Sequence, residues 1–214
     1  MKQYINSTLE IRRKDLIKRI TKDDEFHLSK GLYLSKNNWK NQILKLDDIK
    51  AKMTPARDSI DLIIDLGHGK RMYDGDGNLI SSTEKQFISK NITERRDPWR
   101  AENLDNYFHN FNGQYYMDSE HVVINGSIVN LKSVPISFVR DEDGWTSFKY
   151  FNEDGLATKL KGKEVYFYPP NDNTVAGFYA DSGGAVLDCD EYPSYSDPER
   201  GVRAKFSSID NLEK

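Results

Sequence analysis

The 214-residue chain has one cysteine, Cys189. A lone thiol excludes an internal disulfide and a cysteine-built zinc site. It falls among apolar positions, where a buried, inert sulfur is expected. No run approaches the roughly 18 apolar residues of a membrane span, so no membrane insertion is expected. The opening Met1-Lys-Gln-Tyr-Ile-Asn-Ser-Thr-Leu-Glu10 lacks the apolar centre of a signal peptide, which points to a cytoplasm or a virus particle. There is no P-loop and no Gly-x-Gly-x-x-Gly after a strand. His27, His68, His109 and His121 form none of the close pairs that metal sites use. No cofactor and no metal are expected. Lysine, frequent elsewhere, does not occur between Lys163 and Lys205.

What is present describes a well-charged globular protein with a modest core: 37% hydrophobic and 30% charged residues. A net charge of −3 argues against nucleic acid as a bulk partner. The distribution is uneven. Residues 1–50 hold twelve Lys or Arg against seven Asp or Glu, whereas residues 179–200 hold six acidic residues and one Arg. Ser7-Thr8 could cap a helix through Leu9, Ile11, Leu16, Ile17 and Ile20, with Arg12, Arg13, Lys14, Lys18, Arg19 and Lys22 on its other face. That face reads as solvated, or as an electrostatic docking surface. Lys36–Leu46 reads as a second helix with Trp39, Ile43 and Leu46 inward. Pro55 marks a boundary, because it disfavours helix at Thr54. Residues 1–54 are thus expected to be a helical, basic segment packing on a main domain of residues 55–206, with a tail over 207–214.

Ile60–Leu66 is apolar enough for a strand or a buried helical turn, and periodicity does not decide. Asp74-Gly-Asp-Gly-Asn78 is a turn similar to the start of a calcium loop, but Leu79 and Lys85 stand where an EF-hand needs Gly and Glu. Helices are predicted from Ser82 and, with Asp97 as N-cap and Pro98 in the first turn, from Trp99 onward with Leu104, Tyr107 and Phe108 inward. Asn112-Gly113 and Asn125-Gly126 predict hairpins. Asp141–Tyr150 and Asn152–Gly155 predict another turn and strand pair. Helices followed by antiparallel strands imply an α+β domain.

The stretch Glu164–Phe206 stands apart. Tyrosine, aspartate, serine and glycine replace lysine there, the palette of adaptable binding loops. Phe178, Ala180 and Ser182 alternate with Tyr179, Asp181 and Gly183. After Gly184, Ala185, Leu187 and Cys189 alternate with Val186, Asp188 and Asp190. In extended chain these sets face opposite ways, one suited to packing and one to contact. An ordinary edge strand with its polar side outward would show the same spacing.

This stretch, closing on Gly201-Val202-Arg203 and Ala204-Lys205-Phe206, resembles the C-terminal variable region of target proteins of diversity-generating retroelements. The resemblance implies a C-type-lectin-like fold of the formylglycine-generating-enzyme subtype, helices packed beside a twisted antiparallel sheet with long ligand-binding loops, and a variable region over about residues 175–206. Such retroelements mutate template adenines, mainly in AAY codons, which never yields Lys, Gln, Met, Trp or Glu. From Asn171 to Arg200 there is no Lys, Gln, Met or Trp, while Glu191 and Glu199 depart from that rule. Calcium-dependent sugar lectins carry Glu-Pro-Asn and Trp-Asn-Asp, and formylglycine-generating enzymes need two cysteines. Neither string is present and there is one cysteine, so neither carbohydrate nor catalysis is implied.

The expected function is non-catalytic ligand binding, through Tyr179, Asp181, Gly183, Val186, Asp188, Asp190, Tyr192, Tyr195 and Asp197. Phe178, Ala180, Leu187, Cys189, Val202, Arg203 and Phe206 are expected beneath them. The acidic, aromatic surface implies a protein ligand with exposed basic groups. The competing reading is a serine hydrolase using Ser182 of Asp181-Ser-Gly-Gly184, with His68 and an aspartate. Against it stand Ala180 before the motif and the Leu66-Gly-His-Gly69 context of the histidine.

Overall fold

The computed structural model describes residues 5–6, 11–20, 24–95, 99–210 and 212. In chain order the elements are β1 (Ile5–Asn6), β2 (Leu16–Ile20), β3 (Glu25–Ser29), β4 (Leu32–Tyr33), α1 (Trp39–Asp47), β5 (Lys52–Met53), α2 (Ala56–Gly67), β6 (Tyr73–Asp74), α3 (Ser82–Thr93), β7 (Ala101–Phe111), β8 (Gln114–Ile124) and β9 (Ser127–Pro135). Then come β10 (Gly144–Thr146), β11 (Val165–Tyr168), β12 (Thr174–Ala180), β13 (Ala185–Glu191), β14 (Arg200–Val202) and β15 (Ala204–Phe206). The architecture is α+β, as the sequence order implies. Three helices accompany a large mixed sheet, ordered β1-β4-β14-β7-β12-β13-β11-β10 with β8 and β9 branching from β7, and a smaller antiparallel sheet, β5-β15-β3-β2-β6. No helix among the described residues is long and apolar enough to cross a membrane.

Local chemistry explains most elements. Asn38 caps α1 by accepting from the Asn41 N–H at 2.9 Å, and Ser81 caps α3 by accepting from the Glu84 N–H at 3.1 Å. Ile60–Leu66 is helix, because Ile60, Leu62, Ile63 and Leu66 all reach the core once Ala56 starts the turn. Asn112-Gly113 and Asn125-Gly126 all have positive φ, and the hairpins β7–β8 and β8–β9 turn there. The Asp74 carboxylate is spent on its own turn, accepting from the N–H groups of Asp76 and Asn78. Residues 141–155 give only the short β10, a 3-10 turn at Phe148–Tyr150 and an isolated bridge between Phe151 and Ala157.

Two expected helices are strands. Leu16–Ile20 forms β2 between β3 and β6, with Leu16 and Ile17 fully buried. Five apolar residues near helical spacing were outweighed by sheet partners that arrive from later in the chain. Four of the basic residues there are bonded within the chain rather than lining a helix face, and Lys14 is exposed. Arg19 pairs with Asp65 at 2.5 Å, Lys18 with Glu25 at 2.7 Å and Arg12 with Asp15 at 3.2 Å, while Arg13 donates to the carbonyls of Asp210 and Leu212. The proposed cap at Ser7-Thr8, together with Leu9 and Lys22, lies outside the described residues. The second is Ala101–Phe111, which is β7; Asp97 and Pro98 also lie outside the described residues. Leu104 and Phe108 are fully buried as expected, since a spacing of four shares a face in strand as well as helix. The deciding feature is burial of both faces: Glu102, Asn103, Asp105 and Asn106 are also buried, as in a strand with neighbours on either side.

Residues 1–54 are therefore not a helical segment laid on a separate domain. Among the described residues they hold one α-helix, and their strands complete both sheets, β4 beside β14 and β3 beside β15. The two sheets meet at Arg203, between β14 and β15. Its guanidinium reaches Glu102 Oε2 at 3.3 Å and donates to the Ser29 carbonyl. Its own carbonyl accepts from the Thr54 hydroxyl at 2.8 Å, and the Ala204 N–H donates to Ser29 Oγ at 2.9 Å. At Gly201 an added Cβ would stand 2.9 Å from Leu32 Cβ and 3.0 Å from the Tyr33 carbonyl, so β14 can lie against β4 only as glycine. One apolar cluster fills the space between α2, α3 and the inner face of β11, β12 and β13; a second surrounds α1, with Val202, Ala204 and Phe206.

Candidate functional site

The hairpin β12–β13 builds the candidate face, turning at Asp181–Gly184. Register places Phe178 opposite Leu187 and Tyr179 opposite Val186. The alternation divides the hairpin as its sequence implies. Phe178, Ala180, Leu187 and Cys189 are buried against the helices, and Val202, Arg203 and Phe206 are buried at the sheet junction. Burial pushes the Cys189 thiol well above its ordinary pKa, so it stays protonated and unreactive.

On the opposite face Tyr179 is half-buried. Its ring lies 5.3 Å from that of Trp99, and its hydroxyl donates to Asp188 Oδ2 at 3.3 Å. Burial first and then Asp188 raise its pKa. Asp188 also accepts from the Asp190 N–H at 2.9 Å. Burial, then the nearby charge of Glu191, outweigh these bonds and push its carboxyl up to about 6. Asp190 is exposed, as are Asp181 and Gly183. Asp181 Oδ1 accepts from the Gly183 N–H at 2.7 Å and the Gly184 N–H at 3.2 Å, closing the turn. Gly184 has φ +134°, and a Cβ there would sit 3.4 Å from the Trp145 ring.

Val186 does not belong to the contact surface: it is 2% exposed. It points outward from the sheet, but Tyr166 and Tyr179 flank it in register on the adjacent strands and close over it. Tyr192 is 72% and Tyr195 49% exposed, so both tyrosines of the loop after β13 are open to solvent. Asp197 is partly covered. Its carboxylate accepts from the Glu199 N–H and the Tyr195 hydroxyl, and its carbonyl from the Lys36 N–H, fixing the loop to the segment before α1. Arg200 joins loop to hairpin. It pairs with Glu191 at 2.6 Å, and its guanidinium carbon lies 5.3 Å from the Tyr195 ring and 6.0 Å from Trp99.

The face extends over strands that the predicted set leaves out. Tyr168 stands in register with Asp188, and Trp145 with Tyr166. The Tyr166 ring lies 5.4 Å from Trp145 and 5.0 Å from Tyr168, and its hydroxyl donates to Asp143 at 2.5 Å. That bond is the first cause of a Tyr166 pKa pushed up to about 12. The alternation of Val165 and Phe167 with Tyr166 and Tyr168 is the same signal as in the hairpin, and could have placed both tyrosines here. Nothing local marks Trp99 or Trp145, which arrive through distant pairings. A row of aromatic rings interleaved with carboxylates thus crosses four strands of one sheet face, β10, β11, β13 and β12.

Ser182 is exposed at the tip of the turn, and no described histidine is hydrogen-bonded to it. His121 is bound to Asp105 at 2.5 Å and His109 to Asp118 at 3.3 Å, both on β7 and β8. His68 lines a separate cleft with Ile63, Phe148 and Glu164. Among the described residues no group of three or more His, Cys, Asp or Glu is placed to hold a metal ion. Comparison with protein-family models, curated proteins and solved structures found no match to this chain.

Proposed function

We propose that this chain is a non-catalytic binding protein whose partner docks on the outer face of β11, β12 and β13 and on the loop that follows. The observation that carries this reading is the division of labour within Thr174–Phe206. Phe178, Leu187, Cys189, Val202 and Phe206 anchor the stretch from below, while Tyr179, Asp188, Asp190, Tyr192 and Tyr195 stand on the other side with aromatic neighbours. Tyrosines with few torsions to freeze, set in a hydrogen-bonded sheet, suit the face of another protein. Its acidic character favours a partner with exposed Lys or Arg.

The same division fits the variable region of a retroelement target protein with a C-type-lectin-like fold, in which a fixed frame displays changeable positions. On this reading the ligand differs between sister copies of the chain. The DNA around the coding sequence tests it. A near-copy of the codons for about residues 175–206, differing at adenines, should lie near a reverse-transcriptase gene. If both are missing, the retroelement origin is wrong. Replacing Tyr192 and Tyr195 by Ser should abolish capture of the cognate partner and leave thermal unfolding unchanged; unaltered capture would refute the face.

A further inference from the structure

Asp188 is a carboxylate in an unusual position. Its register neighbours are Tyr168 on β11 and Gly177 on β12, so one side is walled by a phenol, while over Gly177 lie the Arg200 guanidinium, 3.1 Å from where a Cβ would stand, and the Glu191 side chain. The titratable and charged groups facing it are Tyr168, Tyr179, Asp190 and Glu191, all acidic, and the Arg200 guanidinium over Gly177, which makes no ion pair with it. Glu191 is already committed to Arg200. The only cations between Lys163 and Lys205 are Arg200 and Arg203, and Arg203 is committed to Glu102. Among the described residues Asp188 takes part in no ion pair, and neither do Asp143, Asp181 or Asp190 around the same rings.

Charged groups drawn this far out of water are normally paired, because the desolvation cost is otherwise unmet. Here the missing half has a chemistry. Beside the carboxylate stand two tyrosine rings, and a cation is attracted both by the carboxylate and by the electron-rich ring faces. We propose that Tyr168, Asp188 and Tyr179 form a subsite for one cationic side chain of the docked partner, a guanidinium or an ammonium group. This inference rests on the binding face described above and names the chemistry that one part of it recognises. A cation seated there stabilises the ionised carboxyl and drives off its proton. Uptake is therefore coupled to pH: affinity rises as pH increases through about 6 and levels off above. A carboxylate of ordinary pKa on an open surface shows no step in that range.

The experiment uses the full chain and two fluorescein-labelled probes, a hexa-arginine and a hexa-lysine peptide, with anisotropy read at low salt from about pH 5 to about pH 8. At least one probe binds with the step near pH 6, and the preferred probe tells guanidinium from ammonium. Asp188→Asn and Tyr168→Ala each weaken binding by about tenfold or more and Asp188→Asn removes the step, whereas Glu153→Gln, on a remote exposed loop, changes neither. Asp188→Asn keeps an oxygen for the Asp190 N–H, and its amide N–H can donate to the Tyr179 hydroxyl oxygen, so the loss does not stem from misfolding. If Asp188→Asn binds like the parent, retains the step, or weakens no more than Glu153→Gln, the subsite is overturned; binding that still fails on replacing Tyr192 and Tyr195 then leaves the broader face standing. If neither probe binds the parent chain, the subsite is overturned outright, and capture of the cognate partner judges the face.

Discussion

Replacing Asp188 by Asn should make the protein more stable at neutral pH. The folded chain holds the Asp188 proton more tightly than an unfolded one, with a pKa raised from 3.8 to about 6. A raised carboxyl pKa means that ionisation opposes folding. Its contribution is at its best below the ordinary value of 3.8, declines as pH climbs through about 6, and is fully lost above. At about 1.4 kcal/mol per tenfold change in proton affinity, the cost at neutral pH has an upper limit of about 3 kcal/mol. Partial exposure lowers this, and about 1–2 kcal/mol is the expected gain for Asn. Asn retains an oxygen for the Asp190 N–H and turns its amide N–H to the Tyr179 hydroxyl oxygen, so no bonded group is orphaned. Urea unfolding of both proteins at a series of pH values reads the effect directly. The difference should be largest above about pH 7 and shrink toward zero near pH 4. An equal stability at neutral pH, or a gain that does not change with pH, would refute the argument.

Two further predictions concern the frame. Phe178→Ala removes a side chain 2% exposed in the main core and should cost about 3–5 kcal/mol by denaturant unfolding. Arg203→Ala leaves Glu102 buried and without its cation, where burial already raises its carboxyl pKa. It should cost about 3–5 kcal/mol, much of it recovered by a second change of Glu102 to Gln, as a double-mutant cycle would measure.

The sequence announces this fold where local chemistry is decisive and misleads where distant partners decide. The helices over Lys36–Leu46 and from Ser82, which Asn38 and Ser81 turn out to cap, and the two Asn-Gly hairpins were legible because each is started by a bond or a positive φ satisfied within four residues. Leu16–Ile20 and Ala101–Phe111 were not. Their neighbours β3, β6, β12 and β14 lie elsewhere in the chain, and apolar spacing of three to four residues serves either structure. The candidate face was legible along Phe178–Asp190, where alternation maps directly onto two sides of a sheet. It failed at Val186, because pattern gives direction but not whether Tyr166 and Tyr179 close over a small side chain.

That failure bears on what a changeable surface can contain. Val186 points outward yet is sealed by its flanking tyrosines, so a charge there would be desolvated, while at Tyr192 or Asp190 it would remain in water. Tyr179 and Asp188 fall between these cases, each partly covered and each holding the other through one hydrogen bond. The freedom of a position is thus set by register more than by the side of the sheet on which it stands. Positions flanked by large rings on both adjacent strands behave as a second, thin core; positions beyond the end of β13 do not. Under the proposed function, diversity should therefore be widest in the loop from Tyr192 to Asp197 and narrowest at Val186. The junction at Arg203 lies outside this constraint altogether, since its partners Ser29, Thr54 and Glu102 come from other parts of the chain and hold the two sheets together whatever the face displays.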